Sequence, residues 1–102
     1  MTDLKRMSVS KGELVFSYAN AMDALGLLEA QAVSLLGWEG WLRFRDGRLG
    51  HSSKHQGADA LGLDSVDAYR WFRDTIRASQ QEHECLPEMP DTELLFCITL
   101  ED

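Results

Sequence analysis

After Arg77 the sequence contains no basic residue. The remaining stretch holds Glu82, Glu84, Glu88, Asp91, Glu93, Glu101 and Asp102, a charge field of one sign. Such a field draws in cationic partners and repels phosphates, so direct nucleic-acid binding is not expected. Long apolar runs are also missing. No charge-free stretch, Ala30–Trp38 included, exceeds nine residues, far short of the ~18 apolar residues of a membrane span, and no membrane association is expected. No apolar segment follows Lys5 and Arg6, so no secretory signal is read. Cysteine is scarce: Cys85 and Cys97 read as free thiols in a reducing, cytoplasmic setting. There is no CxxC, no HExxH, no glycine-rich phosphate loop and no nucleophile elbow, and the expectation is a protein that is not an enzyme and carries no cofactor.

What is present fits one globular domain over residues 1–102, with 1–10 expected to be poorly ordered. The chain has 102 residues, 44% of them hydrophobic and 26% charged, and a net charge of −7. The charge is uneven. Residues 37–77 are balanced and rich in arginine, and the acidic excess lies beyond them.

Ser10-Lys11-Gly12-Glu13 has the form of a capping box. Leu14, Tyr18, Ala21, Leu25, Leu28, Ala32 and Leu35 then recur at steps of four and three, which predicts one long helix stopped by Gly37. A competing reading takes Glu13–Tyr18 as a strand, with a helix from about Asn20. Met22, Gly26, Ala30 and Val33 form a second apolar stripe, so this helix is either central in the fold or a homodimer seam. Asp46-Gly47 predicts a two-residue hairpin pairing Arg45 with Arg48, Phe44 with Leu49, Arg43 with Gly50 and Leu42 with His51. That register puts Leu42, Phe44, Leu49 and His51 on the core face, and Trp41, Arg43, Arg45 and Arg48 on the other. Lys54–Gly62 reads as a loop. Asp64 can cap a second helix, fraying near Gln80–Glu84, in which Ala68, Phe72 and Ile76 face the core. Pro87 and Pro90 mark an extended connection, and Leu94, Phe96, Ile98 and Leu100 alternate as a strand. The fold class is therefore α+β: a small antiparallel sheet of central hairpin and C-terminal strand packed on two helices. An N-terminal strand would make it ferredoxin-like β-α-β-β-α-β.

Two constellations bear on function. Trp41 beside Arg43, Arg45 and Arg48 forms a cationic aromatic surface, an anion platform unless the acidic residues neutralise it. His51, His55, His83 and Cys85 have the donor types of a zinc site without a diagnostic spacing, so no metal is expected. Trp38 and Trp41 flank Gly40 and are placed to be partly exposed, as binding anchors are. The resulting expectation is a non-catalytic protein-binding module. Its binding residues would be Trp38, Trp41, Arg43, Arg45, Arg48, Glu82, Glu84, Glu88 and Asp91, and its partner a protein with a cationic surface. The concrete form is an acidic inhibitor, of toxin-immunity or phage counter-defence type, acting on a basic nucleic-acid-handling protein. The alternatives are a homodimeric accessory subunit joined through the first helix, or a small metal- or anion-binding protein.

Overall fold

Val15 and Phe16 make the first strand, β1 (Val15–Phe16), antiparallel to Cys97 and Phe96. Both are fully buried, and they belong to core clusters on opposite faces of the sheet. The long helix expected from Ser10 to Leu35 is thereby corrected in favour of the strand reading. A β-branched and an aromatic residue gain a cross-strand partner on each face, and this outweighs the unbroken helical phase. Ser10–Glu13 does not cap a helix. Instead Ser8 Oγ accepts the N–H groups of Ser10 and Val15 (3.2 and 2.9 Å), and the Val9 N–H donates to the Val15 carbonyl. The computed structural model describes residues 6–10, 12–59 and 64–101. Within the N-terminal segment expected to be poorly ordered, Ser8 and Val9 are therefore tied to β1, and residues 1–5 lie outside the described residues.

Helix α1 (Tyr18–Ala30) follows at once, with Ser17 as N-cap accepting from the Asn20 N–H at 3.4 Å. Its buried side chains are Ala21, Leu25 and Leu28 from the middle of the expected stripe, joined by Ala24, while Gly26, Leu27 and Ala30 are exposed. Ala32 adopts a left-handed conformation (φ 55) and turns the chain, so Leu35 opens β2 (Leu35–Arg43) rather than closing a helix.

The hairpin to β3 (Leu49–Asp59) has a different register from the expected one: Trp41 faces His51, Leu42 faces Gly50 and Arg43 faces Leu49. Its loop has three residues. The Gly47 N–H donates to the Phe44 carbonyl, the Phe44 N–H to the Arg48 carbonyl, and Gly47 takes φ 91. This is a type I turn closed by a left-handed glycine. The Asp46 carboxylate holds it by accepting the Arg48 N–H (3.0 Å) and Nε–H (2.7 Å). A slip of one residue exchanges the faces of a strand, so His51 and Leu49 lie on the side away from the helices.

The segment from Lys54, read as a loop, continues β3 to Asp59; residues 60–63 fall outside the described residues. Glycine and polar side chains sit in this strand because it bulges. Trp41 and Glu39 face His51 and Gln56, so two steps of β2 oppose five of β3. Ser52 Oγ stabilises the excursion, accepting the N–H groups of Lys54 and His55 (3.2 and 2.8 Å). The bulge lies over Gly40, where a Cβ would come within 2.4 Å of the His55 carbonyl oxygen.

Helix α2 (Ser65–Cys85) begins as expected, with the Asp64 carboxylate accepting the Asp67 N–H at 2.8 Å. The fraying expected at Gln80–Glu84 is absent. Buried His83 pins the last turn by donating from Nε2 to the Thr92 carbonyl at 3.0 Å, and Gln80 donates to Glu84. β4 (Glu93–Leu100) then enters the sheet between β1 and β2, giving the order β1-β4-β2-β3 with every neighbouring pair antiparallel.

The element order is β-α-β-β-α-β in an α+β fold. β1 and β2 run parallel with β4 between them, and β3 and β4 run parallel with β2 between them. Both helices bury their apolar sides in one cluster with Phe16, Leu42, Leu94, Phe96 and Ile98. The Tyr69 hydroxyl donates to the Val33 carbonyl (2.6 Å), and Arg73 of α2 pairs with Glu29 of α1 (2.7 Å). Trp38, expected to be partly exposed, is 4% exposed and part of this core. Its Nε1–H donates to Thr75 Oγ1, and its ring occupies the space a Cβ at Gly57 would need. No helix among the described residues is long and apolar enough to cross a membrane.

Candidate functional site

The sheet face opposite the helices has its own small core of Val15, Leu95 and Cys97, with Trp41 packed half-buried upon it. β4 brings Leu95 and Cys97 there because alternate side chains of a strand point to opposite faces. β2 sets Trp41 beside Leu95, and Glu39 beside Cys97. The Trp41 ring tilts against His51, centroids 4.8 Å apart, and its Nε1–H donates to Glu39 Oε1 at 3.2 Å. The same oxygen lies 3.8 Å from His51 Nδ1. Arg43 closes this side through a salt bridge with Glu93. Next to the tryptophan, a cleft of about 320 Å³ runs between Ser10, Gly12, Glu13 and Leu14 on one side and the end of β4 on the other, with Glu39, Cys97 and Thr99 in its wall. Burial, then the nearby Glu13 and Glu39 carboxylates, push the Cys97 thiol up to about 12, so it stays protonated and is no nucleophile at neutral pH.

The cationic platform expected on the hairpin does not assemble. With the three-residue loop Arg45 and Arg48 are no longer opposite each other. Arg48 turns onto Asp46 and over the Phe44 ring (5.6 Å), Arg43 is taken by Glu93, and Arg45 is exposed near the tip. The Arg48 N–H, above all, holds the Asp46 carboxyl below its usual range.

The acidic candidates are likewise divided. Glu82 pairs with Lys54 at 3.2 Å, and Glu84 accepts from Gln80. Asp91 is exposed, at a left-handed φ of 57. Glu88, expected to face a partner, points inward and accepts from the Ser52 hydroxyl (2.6 Å), the Ser53 hydroxyl (2.8 Å) and the Ser53 N–H (3.1 Å). Desolvation opposes ionisation there, yet these donors together lower the carboxyl to about 2. Ser52, Ser53 and Glu39 escaped sequence reasoning, because no local pattern marks a serine pair that meets a carboxylate 35 or 36 residues away.

The four possible zinc donors are separated. His55 and His83 face each other, ring centroids 6.1 Å apart. His51 lies on the open face, and Cys85 is exposed at the end of α2. Among the described residues no group of three or more His, Cys, Asp or Glu side chains is arranged to hold a metal ion. No protein-family model, curated protein or solved structure matches the chain.

Proposed function

We propose that the chain is a non-catalytic protein-binding module that receives a cationic partner on the open face of its sheet, with Trp41 as anchor. One observation carries this reading: a tryptophan on that face is fixed from below by Leu95 and Cys97 and from the side by His51 and Glu39. A preordered aromatic ring loses little entropy on binding, and tryptophan and arginine dominate interface hot spots. Glu13 and Glu39 beside it, together with a net charge of −7, favour a basic partner.

The narrower reading is an acidic inhibitor of a basic nucleic-acid-handling protein, of toxin-immunity or phage counter-defence type. The one-signed C-terminal charge supports it. It has fewer carboxylates to use than the sequence offered, because Glu82, Glu88 and Glu93 are engaged by the hairpin strands and Glu84 by Gln80, while Asp91 and Glu101 are exposed. The homodimer alternative is favoured by a different feature, the exposure of Gly26, Leu27 and Ala30 along α1. A mass doubling with concentration that Gly26→Glu abolishes would select it.

The module reading is tested by capture on the immobilised chain, comparing wild type with Trp41→Ala. A partner held by wild type should be released by salt and lose at least about 30-fold in affinity with Trp41→Ala, the mark of an anchor worth ~2 kcal/mol. Equal retention by a Trp41→Ala chain with native circular dichroism rules out the open face.

A further inference from the structure

We propose that His55, packed edge to face on buried His83, is a proton-sensitive clasp, closed while His55 is neutral and loosened by acid, that holds the C-terminal end of α2 and residues 86–92 against β3. His55 and His83 are only 2% and 5% exposed, and their rings meet edge to face. Each has one buried nitrogen without a partner: Nε2 of His55 and Nδ1 of His83. The Thr92 carbonyl accepts from His83 Nε2, which fixes that ring opposite His55. Whichever tautomer neutral His55 adopts, its imidazolium also carries a proton on Nε2. Acidification thus places an N–H⁺ of His55 on a buried atom with no acceptor in reach, a step that is unfavourable in the closed arrangement and relieved once the rings part and His55 reaches water.

The charged surroundings do not cancel this. β3 supplies Lys54, α2 supplies Glu82, and the 86–92 segment supplies Glu88. β2 meets His55 at Gly40, which brings no charge. Glu82 and Glu88 favour the imidazolium, while Lys54 and His83 oppose it. Burial outweighs all of these and lowers His55 from its ordinary 6.5. A histidine lowered in the folded state takes up its proton first in the unfolded chain. Stability is therefore lost as pH falls below about 6.5 and levels off below the folded-state value. Glu88 titrates much lower, so its bonds to Ser52 and Ser53 persist through this window and the clasp responds separately from them.

The experiment follows the imidazole signals of the full chain from pH 8 to 4.5 and amide exchange at Leu86, whose N–H donates to the Glu82 carbonyl. The expected result is a His55 midpoint below the ordinary 6.5. Amide shifts in residues 52–55 and 86–92 should follow the His55 curve, and Leu86 protection should fall about tenfold or more from pH 7 to 5 after correction for intrinsic rates. The double variant His55→Gln, His83→Gln should lose that dependence. Unchanged Leu86 protection in wild type, or an equal loss in the double variant, overturns the proposal. If the variant does not fold, the wild-type curves decide, and a His55 midpoint at or above 6.5 overturns it.

Discussion

Ser52 shows how one buried hydroxyl can organise a strand. It is 0% exposed, donates to Glu88 and accepts two backbone N–H groups of the β3 bulge. Ser52→Ala would leave the Lys54 and His55 amides without that acceptor and should cost about 1–3 kcal/mol in urea unfolding. Ser53, which is exposed, also donates to Glu88. Ser53→Ala should cost less, within about 1 kcal/mol, because water can replace its hydroxyl. Neither role could be read from the dipeptide, since serine pairs are common in loops and Lys54–Gly62 had every mark of one. What makes this segment a strand is the β2 backbone alongside it and the close approach that Gly40 permits.

At the scale of elements, the hairpin carries the clearest lesson. Asp-Gly signals a tight turn but serves both the two-residue loop and the three-residue type I turn with a left-handed glycine. The Asp46 carboxylate selects the second by capturing both the N–H and the side chain of Arg48. One residue of slip removes His51 from the core and disperses the arginines. Gly47→Ala, at φ 91, should destabilise the protein by about 1 kcal/mol, measured by thermal unfolding, because a Cβ is strained in that region. Gly26, with open space around its Cα, is the control: Gly26→Ala in α1 should be neutral or stabilising. The first strand was legible only as an alternative, since Leu14 and Tyr18 continue the helical stripe while Glu13–Tyr18 also suits a strand, and only Phe96 and Cys97 placed beside Phe16 and Val15 decide between them.

For the whole molecule, acid stability follows from how the carboxylates are used. Glu88 is held at about 2 against an ordinary 4.5, so the unfolded chain binds its proton first as pH falls. The stabilisation it supplies is complete above about pH 4.5 and disappears as pH drops towards 2. Glu88→Gln should flatten the denaturation midpoint across that interval, while Glu84→Gln, at an exposed position, should leave it unchanged. A second consequence is that the acidic excess is only partly an outward field, because Glu82, Glu88 and Glu93 bind side chains of the hairpin strands.

The sequence by itself determined the α+β class, the Asp64-capped second helix, the apolar C-terminal strand and the presence of a turn at Asp46-Gly47. Each depends on interactions within a few residues, or on burial patterns that repeat along one element. Only the tertiary structure decided the strand at Val15–Phe16, the length and bulge of β3, the register of the hairpin, and which histidines, arginines and carboxylates meet. Those outcomes depend on partners tens of residues apart, and a shift of a single residue, too small to alter composition or periodicity, changes which face every side chain of a strand presents.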